Sequence, residues 1–197
     1  MRIISGSARG RRLFAPKTPK NSSLIRPTSD RAREALFSII GQERLLQSTV
    51  LDLFAGTGAL GIEALSRGAK YLFLVDQFSA AIKLIEQNVA LCGFSAFATI
   101  IKRDLTKGLF FFRELLEGKN INVGQEYFDL VFIDPPYDQG RCEFILSELQ
   151  KYALVNQESL IVYEDRSQQD LPLQVGKLIL QDQRKYGDTG FWFYRQG

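Results

Sequence analysis

Four consecutive residues, Asp134-Pro135-Pro136-Tyr137, carry the clearest chemical content in the chain. Two prolines fix φ and remove two N–H donors, which leaves the surrounding carbonyls as rigid acceptors. With the Asp134 carboxylate they form an acceptor set for an exocyclic amine of a planar base, and Tyr137 offers a face for stacking it. A proline-rich turn closing a strand would explain the two prolines, but not the acid before them or the aromatic after them. A second constellation lies upstream, where Gly56, Gly58 and Gly61 form G-x-G-x-x-G within the run Asp52 to Gly61, with Phe54 and Thr57 between them. Following a strand and opening a helix, such glycines let the backbone approach a ligand at a helix N-terminus.

Asp76, 20 residues after Gly56, can take both hydroxyls of a ribose. To this point a nicotinamide dinucleotide enzyme and a methyl-donor enzyme fit equally well. Asp52 begins to separate them, because a carboxylate just ahead of the glycines repels a pyrophosphate and suits the amino and sulfonium groups of S-adenosylmethionine. Asp104, with Leu105 beside it, is positioned to accept from the adenine amine. Taken singly, each acid is as readily a strand-end or capping carboxylate as a ligand group. Acids ending strands one to four, all at the carboxyl edge where such sheets bind ligands, form a pattern that this bland reading does not cover. The chain has no His, so imidazole base catalysis, a Ser-His-Asp triad and His-ligated zinc are excluded.

The elements that must position these residues follow from the apolar pattern. Val50 to Phe54, Tyr71 to Val75, Ala98 to Ile101, Phe128 to Ile133 and Ser159 to Tyr163 read as buried strands. Ala59 to Arg67, Ser79 to Leu91, Leu105 to Leu116 and Cys142 to Tyr152 have helical length and period. Strand alternating with helix implies parallel strands joined by crossovers. Lys177 to Arg184 and Gly190 to Arg195 are joined by too few residues for a crossover, so these last two strands are antiparallel to each other. Near the N-terminus, Arg31 to Ile40 predicts a helix ending at Gly41. The apolar pairs Ile3-Ile4 and Leu13-Phe14 around a glycine-containing turn predict a β-hairpin or two short strands.

Charge is unevenly distributed. The 197 residues contain 25 basic and 22 acidic groups, a formal +3. Met1 to Ala35 holds nine basic residues against two acidic ones, a net of +7, which leaves 16 basic and 20 acidic residues and a net of −4 for the remainder. A solvated basic arm is one reading. A platform of clustered arginines that neutralises nucleic-acid phosphates is the sharper one. At 45% hydrophobic and 24% charged, the composition is that of a folded globular protein. Two distant cysteines, Cys92 and Cys142, and the lack of a long apolar run or signal core point to a reduced, cytoplasmic protein away from the membrane.

The Asp-Pro-Pro-Tyr stretch after strand four, with the Phe-Ala-Gly-Thr-Gly loop after strand one, resembles class I methyltransferases that modify exocyclic amines. The chain is similar from end to end to the RsmD-type guanine-N2 methyltransferases of bacterial small-subunit (16S) ribosomal RNA. The matching stretches include Arg2-Ile3-Ile4, Arg9 to Leu13, Arg26-Pro27-Thr28, Asp30-Arg31, Arg33 to Phe37, Leu51 to Gly61, Glu63 to Ala69, Asp134 to Tyr137 and Lys185-Tyr186-Gly187. The resemblance implies an α/β fold, a Rossmann-like seven-stranded, mostly parallel sheet with an antiparallel last strand, preceded by a basic N-terminal hairpin over residues 1–25 and a methyltransferase domain over 26–197. It implies S-adenosyl-L-methionine as cofactor, bound by Asp52, Phe54, Gly56, Thr57, Gly58, Asp76, Asp104 and Leu105, with Asp134, Pro135, Pro136 and Tyr137 at the reacting base. It further implies RNA contact by Arg2, Arg9, Arg11, Arg12, Arg26 and Arg31, and a monomer acting on 16S rRNA or an assembling 30S subunit, with no metal. Asp76 stands where the family often has Glu, and the stretch Glu117 to Glu126 is longer than the family needs. An adenine-N6 methyltransferase would use the same acceptor set. A nicotinamide-dependent oxidoreductase would leave Asp52, the Asp-Pro-Pro-Tyr stretch and the basic arm unexplained.

Overall fold

The computed structural model describes residues 1–16, 30–117, 127–136 and 141–197. Tyr137, Arg26, the 25/26 boundary and nearly all of the stretch Glu117 to Glu126 lie outside the described residues. Eight strands form one sheet: β1 (Thr49–Leu53), β2 (Tyr71–Asp76), β3 (Ala98–Lys102), β4 (Leu130–Ile133), β5 (Leu160–Arg166), β6 (Gln174–Val175), β7 (Leu178–Tyr186) and β8 (Thr189–Gln196). Their order is β3-β2-β1-β4-β5-β8-β7-β6. The first five are parallel, β8 runs antiparallel to β5, and β7 antiparallel to β8. The eighth strand, beyond the seven expected, is β6, a two-residue strip paired with β7, too short to leave an apolar run in the sequence.

Six helices accompany the sheet in the described residues: α1 (Asp30–Ile40), α2 (Gln42–Leu45), α3 (Ala59–Ser66), α4 (Ser79–Cys92), α5 (Phe111–Glu117) and α6 (Cys142–Lys151). None is long and apolar enough to cross a membrane. Side chains alternate across the strands because the pleat has a period of two. Val50, Leu72, Leu74, Leu130, Phe132 and Val162 face one core layer with α1, α3 and α4, whereas Leu51, Phe73, Val131, Ile133 and Ile161 face the other with α5 and α6. In the second layer Phe73 meets the edges of Phe112 and Phe128, with centroids 6.4 and 5.3 Å away. These contacts fasten α5 beneath the sheet.

Two expected elements differ. The helix expected over Leu105 to Leu116 is a short 3-10 turn (Leu105–Lys107) followed by α5. The break falls at Gly108, with φ +90°, where Glu148 of α6 accepts the Leu109 N–H at 2.9 Å. That tertiary bond overrides the helical period. The N-terminal segment forms a hairpin-like excursion with one antiparallel bridge among the described residues, Arg2 to Arg12, rather than two strands. Its tip turns onto α3 instead of extending the ladder. Ile3, Ala8 and Leu13 of this arm are buried in the same core layer as α1, α3 and α4.

Candidate active site

The strand order reverses at β1, with β2 and β3 on one side and β4 and β5 on the other, and a crevice at the carboxyl end of such a switch is where open α/β sheets bind ligands. Three strand ends are stitched together there. Leu53 pairs with Val75 and Ile133, the Ala55 N–H donates to Val75 O at 3.0 Å, and the Asp134 N–H to Leu53 O at 3.3 Å. The glycine loop and the Asp-Pro-Pro segment are therefore neighbours, although about 80 residues apart in sequence.

The loop is held from below by two carboxylates. Asp76 ends β2 and accepts from Gly56 N and Phe78 N, each at 2.9 Å. Asp52 is only 1% exposed and its Oδ2 accepts from Gly61 N at 2.9 Å. A Cβ on Gly61 would lie 2.6 Å from Leu72 Cδ1 and 3.0 Å from that oxygen, so glycine is required for α3 to sit this close to the sheet. Phe54 takes φ +61° as the chain leaves β1, an uncommon conformation for a side chain of this size, and the Arg141 guanidinium lies 6.0 Å from its ring centroid. Gly58 caps α3 in the left-handed conformation. Thr57, at the loop's crest, is half-buried.

Asp134 is half-buried, Pro135 buried and Pro136 exposed. Burial, and then the negative charge of Asp165 on β5, push the Asp134 carboxyl up to about 7. Burial likewise pushes Asp52 up to about 8, against the Gly61 N–H and with help from the charges of Asp134 and Asp76. Three acids thus crowd one crevice, and a cationic ligand would relieve their mutual repulsion. Asp104 stands further out: its carboxyl accepts from the Thr106 hydroxyl at 2.7 Å and the Thr106 N–H at 3.0 Å, bonds that hold it below the usual carboxylate range. Leu105 is 2% exposed and its side chain belongs to the core layer that holds α5 and α6. A cavity of about 360 Å³ between Gln77, Lys102, Asp104, Lys107 and Phe110 opens beside it.

The arm lies against this site. Glu63 of α3, fully buried, accepts from Ile4 N at 2.7 Å and Ser5 N at 3.0 Å while pairing with Arg67 at 2.7 Å. Arg33 of α1, also buried, donates to Arg2 O at 2.6 Å and to Asp30 at 2.8 Å. Asn88 of α4 bonds both the arm and the glycine loop. Arg2, Arg9, Arg11, Arg12 and Arg31 are exposed. Arg2, Arg9 and Arg31 converge on one cleft of about 290 Å³ shared with Asp30 and Glu34, whereas Arg11 turns aside to the Leu91 carbonyl near the end of α4.

The structure therefore brings Asp52, Phe54, Gly56, Thr57, Gly58, Asp76, Asp134, Pro135 and Pro136 to one crevice and leaves Asp104 at its rim. Sequence reasoning missed Glu63, Asn88, Arg141 and Asp165. For Glu63 and Asn88 the available signal was a polar residue on an otherwise apolar helix face, as with Asn88 between Ile85, Val89 and Cys92; Arg141 and Asp165 carried none.

Comparison with known proteins adds a lineage to this geometry. Residues 1–195 match the family described as Conserved hypothetical protein 95. The chain is 33% identical over 196 residues to YlbH of Bacillus subtilis (strain 168), covering 100% of this chain and 99% of that one. It is 30% identical over 196 residues to ribosomal RNA small subunit methyltransferase D of Escherichia coli (strain K12), covering 100% and 90%. The solved structure of yhhF from Escherichia coli is similar with a TM-score of 0.77 at 29% identity, covering 100% of this chain and 97% of that one.

Proposed function

The chain belongs to the Conserved hypothetical protein 95 family, the RsmD type of ribosomal RNA methyltransferase, and we propose that it transfers a methyl group from S-adenosylmethionine to the exocyclic N2 amine of a guanine in small-subunit (16S) ribosomal RNA. The observation that carries this reading is the meeting of the Asp134-Pro135 acceptors with the glycine loop at the sheet's switch point, through the Asp134 N–H to Leu53 O bond of 3.3 Å. The residues present fit the cofactor: three carboxylates crowd the crevice, two held well above their ordinary range, and a Cβ built on Gly56 would find no atom closer than Phe54 O at 3.9 Å. Bound there, S-adenosylmethionine supplies an electrophilic methyl on a sulfonium centre.

The chain's own residues do the rest. Asp76 fixes the Gly56 and Phe78 amides, and with them the loop that faces the ligand, leaving lone pairs for a ribose diol. Asp52 fixes Gly61, and a cation bound above it would favour the ionised form that burial otherwise disfavours, so that the carboxylate and the ligand's cationic end stabilise each other. A guanine N2 amine is a poor nucleophile because its lone pair is delocalised into the ring. Hydrogen bonds from its protons to the Asp134 carboxylate and the Pro135 carbonyl favour the pyramidal nitrogen of the transition state over the planar ground state. Asp134 takes a proton from that nitrogen or holds it until water does, and its raised value suits either role near neutral pH. The base must leave its stack to reach this crevice, with Tyr137 replacing the lost stacking. Exposed Arg2, Arg9, Arg12 and Arg31 supply the phosphate contacts.

The test is nucleoside analysis of 16S rRNA after transfer of a labelled methyl group. N2-methylguanosine is expected, N6-methyladenosine would assign the acceptor set to adenine, and no incorporation would refute the reading.

A further inference from the structure

We infer that Asn88 is a positioning residue through which order in the N-terminal arm and geometry of the glycine loop are linked, so that RNA on the arm and cofactor on the loop strengthen each other's binding. The inference rests on the proposed reading of this crevice as a cofactor and RNA site, and extends it to regulation.

Asn88 is fully buried on α4. Its Oδ1 accepts from Phe14 N at 2.7 Å, and its Nδ2 donates to Phe14 O at 3.0 Å and to Thr57 O at 2.9 Å. Only a side-chain amide can grip the N–H and the C=O of one residue and still reach a second carbonyl. Phe14 lies near the end of the arm's described residues, and Thr57 lies between Gly56 and Gly58 of the glycine loop. The other end of the arm converges on the same point: Leu13 N donates to Met1 O at 3.2 Å, and the Thr57 hydroxyl lies 3.7 Å from Met1 Sδ. The arm, Asn88 and Thr57 thus form one continuous polar network centred on the buried Asn88 amide, and a partner withdrawn from it leaves part of that amide unpaired inside the protein.

The network has ligands at both ends. On one side, exposed Arg2, Arg9 and Arg12 stand on the backbone that Asn88, Glu63 and Arg33 hold. On the other, Thr57 shares its turn with Gly58, whose N–H donates to Ala55 O at 2.7 Å, and with Gly56, which Asp76 holds. An arm fixed by RNA keeps Phe14 against Asn88, and Asn88 then keeps Thr57 in place; a loop fixed by cofactor does the converse. Coupling of this kind is reciprocal by thermodynamic necessity.

The experiment is calorimetric titration of the full chain with S-adenosylhomocysteine, with and without saturating purified 16S rRNA, and the reverse titration. The wild type should bind each ligand about fivefold or more tightly in the presence of the other, the lower end of typical coupling between two sites. Asn88→Leu, similar in volume but without the three bonds, should bind each ligand with the same affinity whether or not the other is present. Ser66→Ala removes the α3 hydroxyl that accepts from Ala8 N at 3.0 Å. It loosens the arm tip without touching Asn88 or Thr57, and should weaken the coupling while leaving cofactor affinity without RNA unchanged. Leu146→Ala, a cavity in the opposite core layer, should lower the melting temperature and keep the coupling.

Coupling that survives in Asn88→Leu, or is lost equally in Leu146→Ala, overturns the inference. If Asn88→Leu does not fold, full coupling in Ser66→Ala overturns it instead. A wild type that binds both ligands independently also overturns it while leaving the proposed function standing. A wild type that binds neither ligand overturns the proposed function itself.

Discussion

Asp134 sets a pH dependence that can be worked out before it is measured. Burial, and then the charge of Asp165, hold its carboxyl at about 7. Accepting a bond or a proton from a base amine requires the ionised form, so the rate must rise with pH through that value. About half of the molecules are competent at pH 7, about a tenth at pH 6 and about a hundredth at pH 5, which gives a limb with a slope of one decade per pH unit. Single-turnover methyl transfer to 16S rRNA at saturating cofactor isolates this step. Saturating cofactor also removes whatever Asp52, pushed up to about 8, contributes through cofactor affinity. Asp165→Asn removes the like charge and should move the limb toward acid by several tenths of a pH unit to about one. Asp134→Asn should abolish the limb and lower the plateau by roughly two to four orders of magnitude. A wild-type rate that is flat between pH 5 and 7, or a limb that Asp165→Asn leaves in place, would refute the role assigned to this carboxyl.

The same raised values bear on stability. Between their ordinary value of 3.8 and their folded values of about 8 and 7, Asp52 and Asp134 bind protons more tightly in the folded chain than in the unfolded one. The melting temperature without cofactor should therefore fall as pH rises across that window, and bound S-adenosylhomocysteine should reduce the fall. Asp76→Ala deprives the Gly56 and Phe78 amides of a charged acceptor and should weaken cofactor binding about 10- to 100-fold by calorimetry. A Cβ on Gly6 would stand 1.7 Å from Ser66 O at φ +82°, so Gly6→Ala should displace the arm, lower the melting temperature by the equivalent of roughly 1–3 kcal/mol, and open residues 1–16 to limited proteolysis. Arg9→Gln and Arg12→Gln should each lower the salt slope of RNA binding by about one, without changing cofactor affinity in the absence of RNA.

Most of the parallel half of the fold was legible in the sequence because β1, β2, β4 and β5 are buried on both faces and therefore read as apolar runs. β1, β2 and β4 lie within a residue or two of the expected bounds. Spacing also brought Asp52, Asp76 and Asp134 to one edge. The sequence could not reveal that Asp52 and Asp76 spend bonds on the loop's own amides, since that depends on where Gly61 and Gly56 come to rest in space. The break at Gly108 was hidden for a similar reason: Glu148, which determines it, is 40 residues away. Asn88 resembles any polar residue on a helix until the arm is packed against it, and Asp165 matters only because β5 runs beside β4.

The arm is docked almost wholly through its main chain. Ile4 N, Ser5 N, Ala8 N, Arg2 O and both polar atoms of Phe14 meet side chains of Glu63, Ser66, Arg33 and Asn88. Its own side chains add the apolar anchors Ile3, Ala8 and Leu13, an ion pair from Arg2 to Asp30 and the bond from Arg11 to the Leu91 carbonyl, whereas no such contact is seen for Arg9 or Arg12 among the described residues. The arm therefore behaves as a cassette. If the arm contacts RNA as proposed, its outward face can drift, or be exchanged by an engineer for one that reads a different RNA, while the sheet and helices that carry the candidate active site keep the same fold.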